Sequence, residues 1–221
     1  MGITNPDNPP HERQSQVLVP MNTEGVTIVR PMHVFGYDDG YTGHPEVKFE
    51  NVIVPKTNLI GGEGAGFKIA QARLGPGRIH HCMRWIGICE RALDLMCKRV
   101  STRELNPNKL LAEKQTIQNW IAESASEIYG ARLMVIDCAK KVQEFQTKGA
   151  RQEISMIKLC VADILMKVLD RAIQAHGALG ITDYTPLAYW YRHERGARIY
   201  DGADEVHKNL IARTILKKYI D

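Results

Sequence analysis

The spacing of apolar positions changes near residue 60. Before that point apolar residues come in short bursts: Gln16-Val17-Leu18-Val19, Val26-Thr27-Ile28-Val29 and Glu46-Val47-Lys48-Phe49, the last extended by Asn51 to Val54. Turn formers separate them, namely Asn22, Gly25, Gly36 and Asp38-Asp39-Gly40. β-Branched side chains suit a pleated, half-buried surface, and Gly, Asn and Asp accept turn dihedrals. The pattern predicts short antiparallel strands over residues 1–60.

From about Phe67 onward the apolar residues recur at steps of three and four. One line runs Ile79, Met83, Ile86, Leu93, Cys97, Val100. A second runs Ile117, Ile121, Ile128, Val135, Val142, and a third Ile157, Val161, Ile164, Val168, Ala172. A last one uses Val206, Leu210, Ile211 and Ile215. Each marks one face of an amphipathic helix. The breaks between them are Asn106-Pro107-Asn108, Lys148-Gly149 and Gly177 to Pro186, with Pro107 and Pro186 expected to stop helices. The fold class is therefore mainly α: an antiparallel helical bundle over residues 61–221, preceded by a partial antiparallel β domain over 1–60. So few strands leave edges without partners, and an open edge exposes unpaired N–H and C=O groups. The sheet reads as incomplete.

Composition narrows the function classes. The chain has 221 residues, 44% apolar and 24% charged, which is a globular balance. Its net charge of +4 is dispersed along the chain rather than massed on one run, which argues against a nucleic-acid partner and is compatible with an anionic ligand such as a coenzyme A phosphate. Cys82, Cys89, Cys97, Cys138 and Cys160 form no Cys-x-x-Cys pair and are expected to be reduced thiols. No apolar run reaches the roughly 20 residues of a membrane span. Residues Met1 to Pro6 have neither a basic stretch nor an apolar run, so no signal peptide is expected there.

Four segments carry candidate chemistry. Gly61-Gly62-Glu63-Gly64-Ala65-Gly66 lacks the lysine of a phosphate loop and reads as a turn opening the first long helix. In Gly75-Pro76-Gly77-Arg78-Ile79-His80-His81-Cys82-Met83-Arg84 the histidines are adjacent, not at the i, i+4 step of a helical zinc pair, so no metal site is expected. Arg78 and Arg84 could meet a carboxylate or phosphate or be solvated. Ala172 to Gly180 is a helix end whose Gly177 and Gly180 either stop the helix or admit a ligand. Ile199-Tyr200-Asp201-Gly202-Ala203-Asp204-Glu205-Val206-His207 opens the last helix. There Asp201 is either an acidic cap or a carboxylate base beside an anion-binding helix start.

Taken in order, these segments resemble the acyl-CoA dehydrogenase family. The matching features are Gly64 to Phe67, Arg78, Arg103, Gln174 to Gly180, Arg192, and Tyr200-Asp201-Gly202-Ala203. The runs Gly75 to Arg84 and Asp201 to His207 are most similar to the branch whose larger animal members also carry a kinase-like domain. The resemblance implies a chain that begins within the middle β domain, with the loops that cradle the flavin ring expected upstream of Met1. It implies FAD as cofactor and a reaction in which an acyl-CoA loses its α-proton to a carboxylate and its β-hydrogen to the flavin, giving a trans-2-enoyl-CoA.

By motif position the resemblance makes Asp201 the base, where most relatives have Glu. Asp is one methylene shorter, so its oxygens fall roughly 1.5 Å short unless the backbone shifts. Gly75, Pro76, Gly77, Arg78 and Gly202 would face the substrate. Arg103 would reach the FAD pyrophosphate of a neighbouring subunit, with Gln174, Ala175, His176, Gly177 and Ala178 along its phosphates and Ala203, Asp204 and Glu205 near its adenine. Two departures are visible: Glu104-Leu105-Asn106-Pro107 replaces an aromatic-Gly pair, and Ala178 replaces a glycine. The implied partners are electron-transfer flavoprotein and a homodimer or homotetramer. The implied compartment is cytoplasmic in a bacterium and mitochondrial or peroxisomal in a eukaryote. The rival expectation is an inactive helical bundle or a subunit that pairs with a missing half.

Overall fold

The computed structural model describes residues 1–37, 40 and 43–220. The chain divides into two compact units, Met1–Arg73 and Leu74–Asp221.

In the first unit β1 (Gly2–Ile3), β2 (Gln14–Val17) and a later strand, β5 (Leu59–Ile60), form an antiparallel sheet in the order β1-β2-β5. β3 (Val26–Met32) and β4 (His44–Phe49) form a separate antiparallel hairpin. The strands are antiparallel, as the sequence predicts, but Asn51 to Val54 do not extend β4. Asn51 is left-handed at φ 52°, which turns the chain out of the ladder. Of the expected turn Asp38-Asp39-Gly40, the two aspartates lie outside the described residues. Apolar strand residues remain open, with Ile28 59% and Phe49 57% exposed. Ser15 is the buried strand residue; its Oγ accepts from the Gly64 amide at 2.9 Å and lies 2.7 Å from Thr4 Oγ1. A Cβ on Gly66 would sit 2.7 Å from the Gln14 carbonyl oxygen, so the glycine loop is needed for close backbone approach.

The helices follow. α1 (Gly66–Thr102) starts in the first unit and supplies the second with its first long helix. α2 (Gln115–Gly149) and α3 (Arg151–His176) pack together, then α4 (Leu187–Glu194) and α5 (Asp204–Leu216) pack on α3. Between α1 and α2 lies a small hairpin of β6 (Glu104–Asn106) and β7 (Lys109–Leu110). The sequence shows only a break there. Asn108 at φ 60° makes the hairpin turn, and α1 has already ended before Pro107. Pro186 likewise stops no helix; it occupies the N-cap of α4, where its carbonyl accepts from Trp190 N at 2.9 Å. The break near Lys148-Gly149 lies slightly earlier, at Gln146, whose φ of 61° interrupts α2.

The core confirms the third apolar line in full: Ile157, Val161, Ile164, Val168 and Ala172 are all buried. In α2, Ile117, Ile128 and Val135 are buried, with Ile121 and Val142 packed at the margin. In α1 the buried face is rotated from the expected one and runs through Cys82, Trp85, Ile86, Cys89, Ala92, Met96 and Val100. Small Cys and Ala side chains line the contact, while Met83 faces outward. α5 departs most. Val206 is 60% exposed, and the residues the helix buries are polar, Asp204 and His207. Burial pushes the Cys82 and Cys89 thiols up, Cys89 to about 12, so both stay protonated.

Candidate active site

The connection between α4 and α5 carries a short helical turn, Arg195–Arg198, then Ile199 to Ala203. Asp201 and Gly202 are both left-handed, at φ 54° and φ 106°. Glycine adopts that conformation freely and aspartate is among the few other residues that tolerate it. Two cations hold this backbone from two helices. Arg78 of α1 donates from Nε to the Asp201 carbonyl at 2.8 Å. Lys158 of α3, fully buried, donates from Nζ to the Gly202 carbonyl at 2.6 Å. The Gly202 side is filled by His207: a Cβ there would lie 2.8 Å from His207 Nε2.

The buried charges are compensated. Burial lowers the Lys158 pKa, opposed first by the Asp204 carboxylate, whose Oδ1 lies 4.0 Å from Nζ. Asp204 also accepts from Arg198 Nε at 2.6 Å. Burial is likewise the first cause that lowers Arg78, with the Asp201 charge opposing it. Burial, then the Arg78 and Lys158 charges, depress His207 to about 4, so its imidazole is neutral at pH 7; its Nδ1 lies 3.1 Å from Ser155 Oγ.

The Asp201 carboxylate faces α1. Its side chain is 17% exposed, and Oδ2 lies 3.1 Å from Nε2 of His81 on α1. The His81 ring stacks on Trp85, with centroids 5.8 Å apart, and lies 5.5 Å from the Tyr200 ring. Beneath them sits a second carboxylate, Glu194, 2% exposed. It accepts from both Arg84 terminal nitrogens, from Trp85 Nε1 at 2.9 Å and from Tyr200 Oη at 3.4 Å, with His193 Nδ1 at 3.2 Å. Burial opposes its ionisation, but the Arg84 bonds and charge and then His193 outweigh that and hold its pKa below the usual carboxylate range.

The acidic-cap alternative for Asp201 does not describe this geometry. The N-cap of α5 is Ala203, without a side-chain cap bond, and Asp201 lies outside the helix with its carboxylate turned to His81. Asp204 and Glu205 do occupy the first turn of α5.

Of the other expected site residues, Gly75 is buried against Thr147, where a Cβ would lie 2.1 Å from Cγ2. Pro76 is exposed; Gly77 and Gly202 are half-buried. Arg103 is exposed where α1 gives way to β6. Gln174, Gly177 and Ala178 are exposed at the end of α3, whereas Ala175 and His176 are buried, His176 Nδ1 lying 2.7 Å from the Ala172 carbonyl. Ala203 is half-buried, Asp204 buried and Glu205 exposed. Arg192 lies over the Tyr189 ring, 5.4 Å from its centroid. The structure thus brings Arg78, Asp201 and Gly202 together and adds His81, Lys158, Ser155, Glu194 and His207. Lys158 had a legible signal: it falls on the same helical line as Ile154 and Val161, and a lysine on a buried line needs a partner.

The acyl-CoA dehydrogenase C-terminal domain family matches residues 64–216. FadE2 of Mycobacterium tuberculosis, named as an acyl-CoA dehydrogenase, is 52% identical over 218 residues, covering 99% of this chain and 53% of FadE2. Acyl-CoA dehydrogenase family member 10 of Mus musculus is 49% identical over 217 residues, covering 98% of this chain and 20% of that protein. A solved Mycobacterium abscessus structure assigned as an acyl-CoA dehydrogenase superposes with a TM-score of 0.94 at 40% identity, over 99% of this chain and 54% of that one. The chain thus spans about half the length of FadE2 and a smaller share of the mouse protein. With the family match covering most of its residues, the chain belongs to the acyl-CoA dehydrogenase family and carries that family's C-terminal domain.

Proposed function

We propose that the protein carrying this chain performs FAD-dependent α,β-dehydrogenation of an acyl-CoA thioester to a 2-enoyl-CoA, with Asp201 as the base. The observation that carries the reading is the Asp201 turn. Its backbone is fixed by Arg78 and Lys158, while its carboxylate is left outside the helix and outside the Glu194 cluster. A base has to sit at a fixed place with a lone pair to spare, and this carboxylate has both. The fixed left-handed backbone sets the reach of a side chain one methylene shorter than Glu.

The residues present fit a flavin dinucleotide. Arg103 offers an exposed guanidinium and Gln174 an exposed amide, both suited to phosphate oxygens. Gly177 is left-handed at φ 63° with open space where a side chain would be, which admits close approach of a ligand to the backbone. His176 and Asp204, turned to internal partners, would contribute through backbone atoms or through packing. When bound, FAD supplies the acceptor for the β-hydrogen as hydride. The chain's own part is to take the α-proton on Asp201, to keep the turn in place through Arg78 and Lys158, and to present Gly77, with open space at its Cβ position, to the acyl chain. Electron-transfer flavoprotein as the onward acceptor, and a homodimer or homotetramer that shares its cofactor contacts, belong to the same proposal.

The test is reduction of a dye acceptor by the FAD-loaded protein across a series of acyl-CoA chain lengths, with Asp201→Asn alongside. The expected result is turnover in the parent and a loss of roughly 10²–10⁴-fold in the variant with flavin absorbance retained. Turnover that survives Asp201→Asn would remove Asp201 from the reaction. A FAD-loaded protein inert toward every acyl-CoA would remove the reaction itself.

A further inference from the structure

A short carboxylate on a fixed backbone still has two side-chain torsions, and rotation about them moves its oxygens by more than a hydrogen-bond length. Arg78 and Lys158 hold backbone oxygens and leave those torsions open. The group set against the carboxylate itself is the His81 imidazole, with Nε2 3.1 Å from Oδ2. That imidazole is held in turn. It stacks at 20° on Trp85, which is fully buried and donates from Nε1 to Glu194 at 2.9 Å. The Tyr200 ring lies on the same imidazole, and the Tyr200 hydroxyl lies 3.4 Å from the same Glu194 oxygen. A line of packed groups, with Trp85 and Glu194 buried and His81 and Tyr200 partly buried, therefore runs from Glu194 to the reactive carboxylate.

We propose that His81 is the positioning residue of the Asp201 carboxylate. It engages Oδ2 and so leaves Oδ1 as the oxygen that meets the substrate's α-hydrogen. The Glu194 cluster is the scaffold that aims the imidazole. This rests on the reading of Asp201 as the base. The close approach of the ring nitrogen to Oδ2, 3.1 Å, favours the one side-chain rotamer that keeps this contact. His81 does not touch the reacting atoms; it acts through Asp201.

The test compares His81→Phe and His81→Gln in the FAD-loaded protein. Phe keeps a ring to stack on Trp85 and Tyr200 but has no donor; Gln lacks the ring but can place an amide N–H near Nε2. We expect His81→Phe to lower kcat by roughly ten- to a hundredfold with KM for the acyl-CoA little changed, and His81→Gln to recover most of the loss. An unchanged kcat in His81→Phe, or equal losses in both variants, would overturn the positioning role while leaving Asp201 as the base. If Asp201→Asn itself keeps full turnover, the base assignment fails first and this proposal with it.

Discussion

Glu194 closes α4 and Asp201 lies in the connection that follows it to α5, yet their surroundings are opposite. Glu194 is buried and saturated: Arg84, Trp85, Tyr200 and His193 all face it, and its pKa is held down. Asp201 is partly exposed, with His81 against one oxygen and its backbone in a conformation few side chains adopt. The contrast separates two uses of a carboxylate. One whose lone pairs are all engaged organises structure and has little left to take a proton. One held by its backbone can be both fixed and reactive.

The sharpest way to break this comparison is to exchange the losses. Glu194→Ala strands the Arg84 guanidinium and the Trp85 N–H, and should cost about 3–5 kcal/mol, a fall of roughly 10 °C in melting temperature by calorimetry. Asp201→Asn should leave stability within about 1 kcal/mol, because Asn also accepts left-handed backbone and no buried cation loses its only partner. If the two variants melt alike, the division of labour is wrong.

A somewhat smaller effect comes from pH. His207 titrates near 4 in the folded chain against about 6.5 when unfolded, so between those values the unfolded chain binds more protons. Stability should therefore fall as pH drops from 6.5 towards 4, by on the order of 3 kcal/mol. In His207→Asn that part of the loss should vanish from urea melts taken across the window. Glu194 works in the same direction at lower pH: its depressed pKa gives stability that is present above the ordinary carboxylate value and lost as pH falls through the folded one. Smallest is Lys158→Met. Losing the bond to the Gly202 carbonyl is partly offset by removing a buried charge, for a net cost of about 2 kcal/mol in the same melts. A larger drop in turnover than in stability would tie Lys158 to the placement of the Asp201 turn.

Much of this was legible in the chain. The α3 line Ile157, Val161, Ile164, Val168, Ala172 is regular and wholly buried because α3 is packed by α2, α4 and α5, so burial and period agree. The order of the Arg78, Gln174–Gly180 and Tyr200–Ala203 segments located the site. The α5 line failed because its buried face is polar, His207 set against Ser155 and Asp204 against Arg198 and Lys158, and apolar periodicity cannot report a face built from polar contacts. The Asp201 geometry was hidden for a related reason. A helix cap and a left-handed anchored turn place the same residue types at the same spacing, and only the tertiary partners Arg78, Lys158 and His81 distinguish them. The β6–β7 hairpin and the left-handed Gln146 are local backbone events with no periodic signature.

The central claim is that the Asp201 carboxylate removes a proton from the carbon next to the thioester. Exchange of that α-hydrogen with D₂O, followed by mass spectrometry of the acyl-CoA on the FAD-loaded protein, reads the step directly. The account predicts deuterium uptake in the parent protein and a fall of at least about 100-fold in Asp201→Asn. Equal uptake in the two proteins would contradict it.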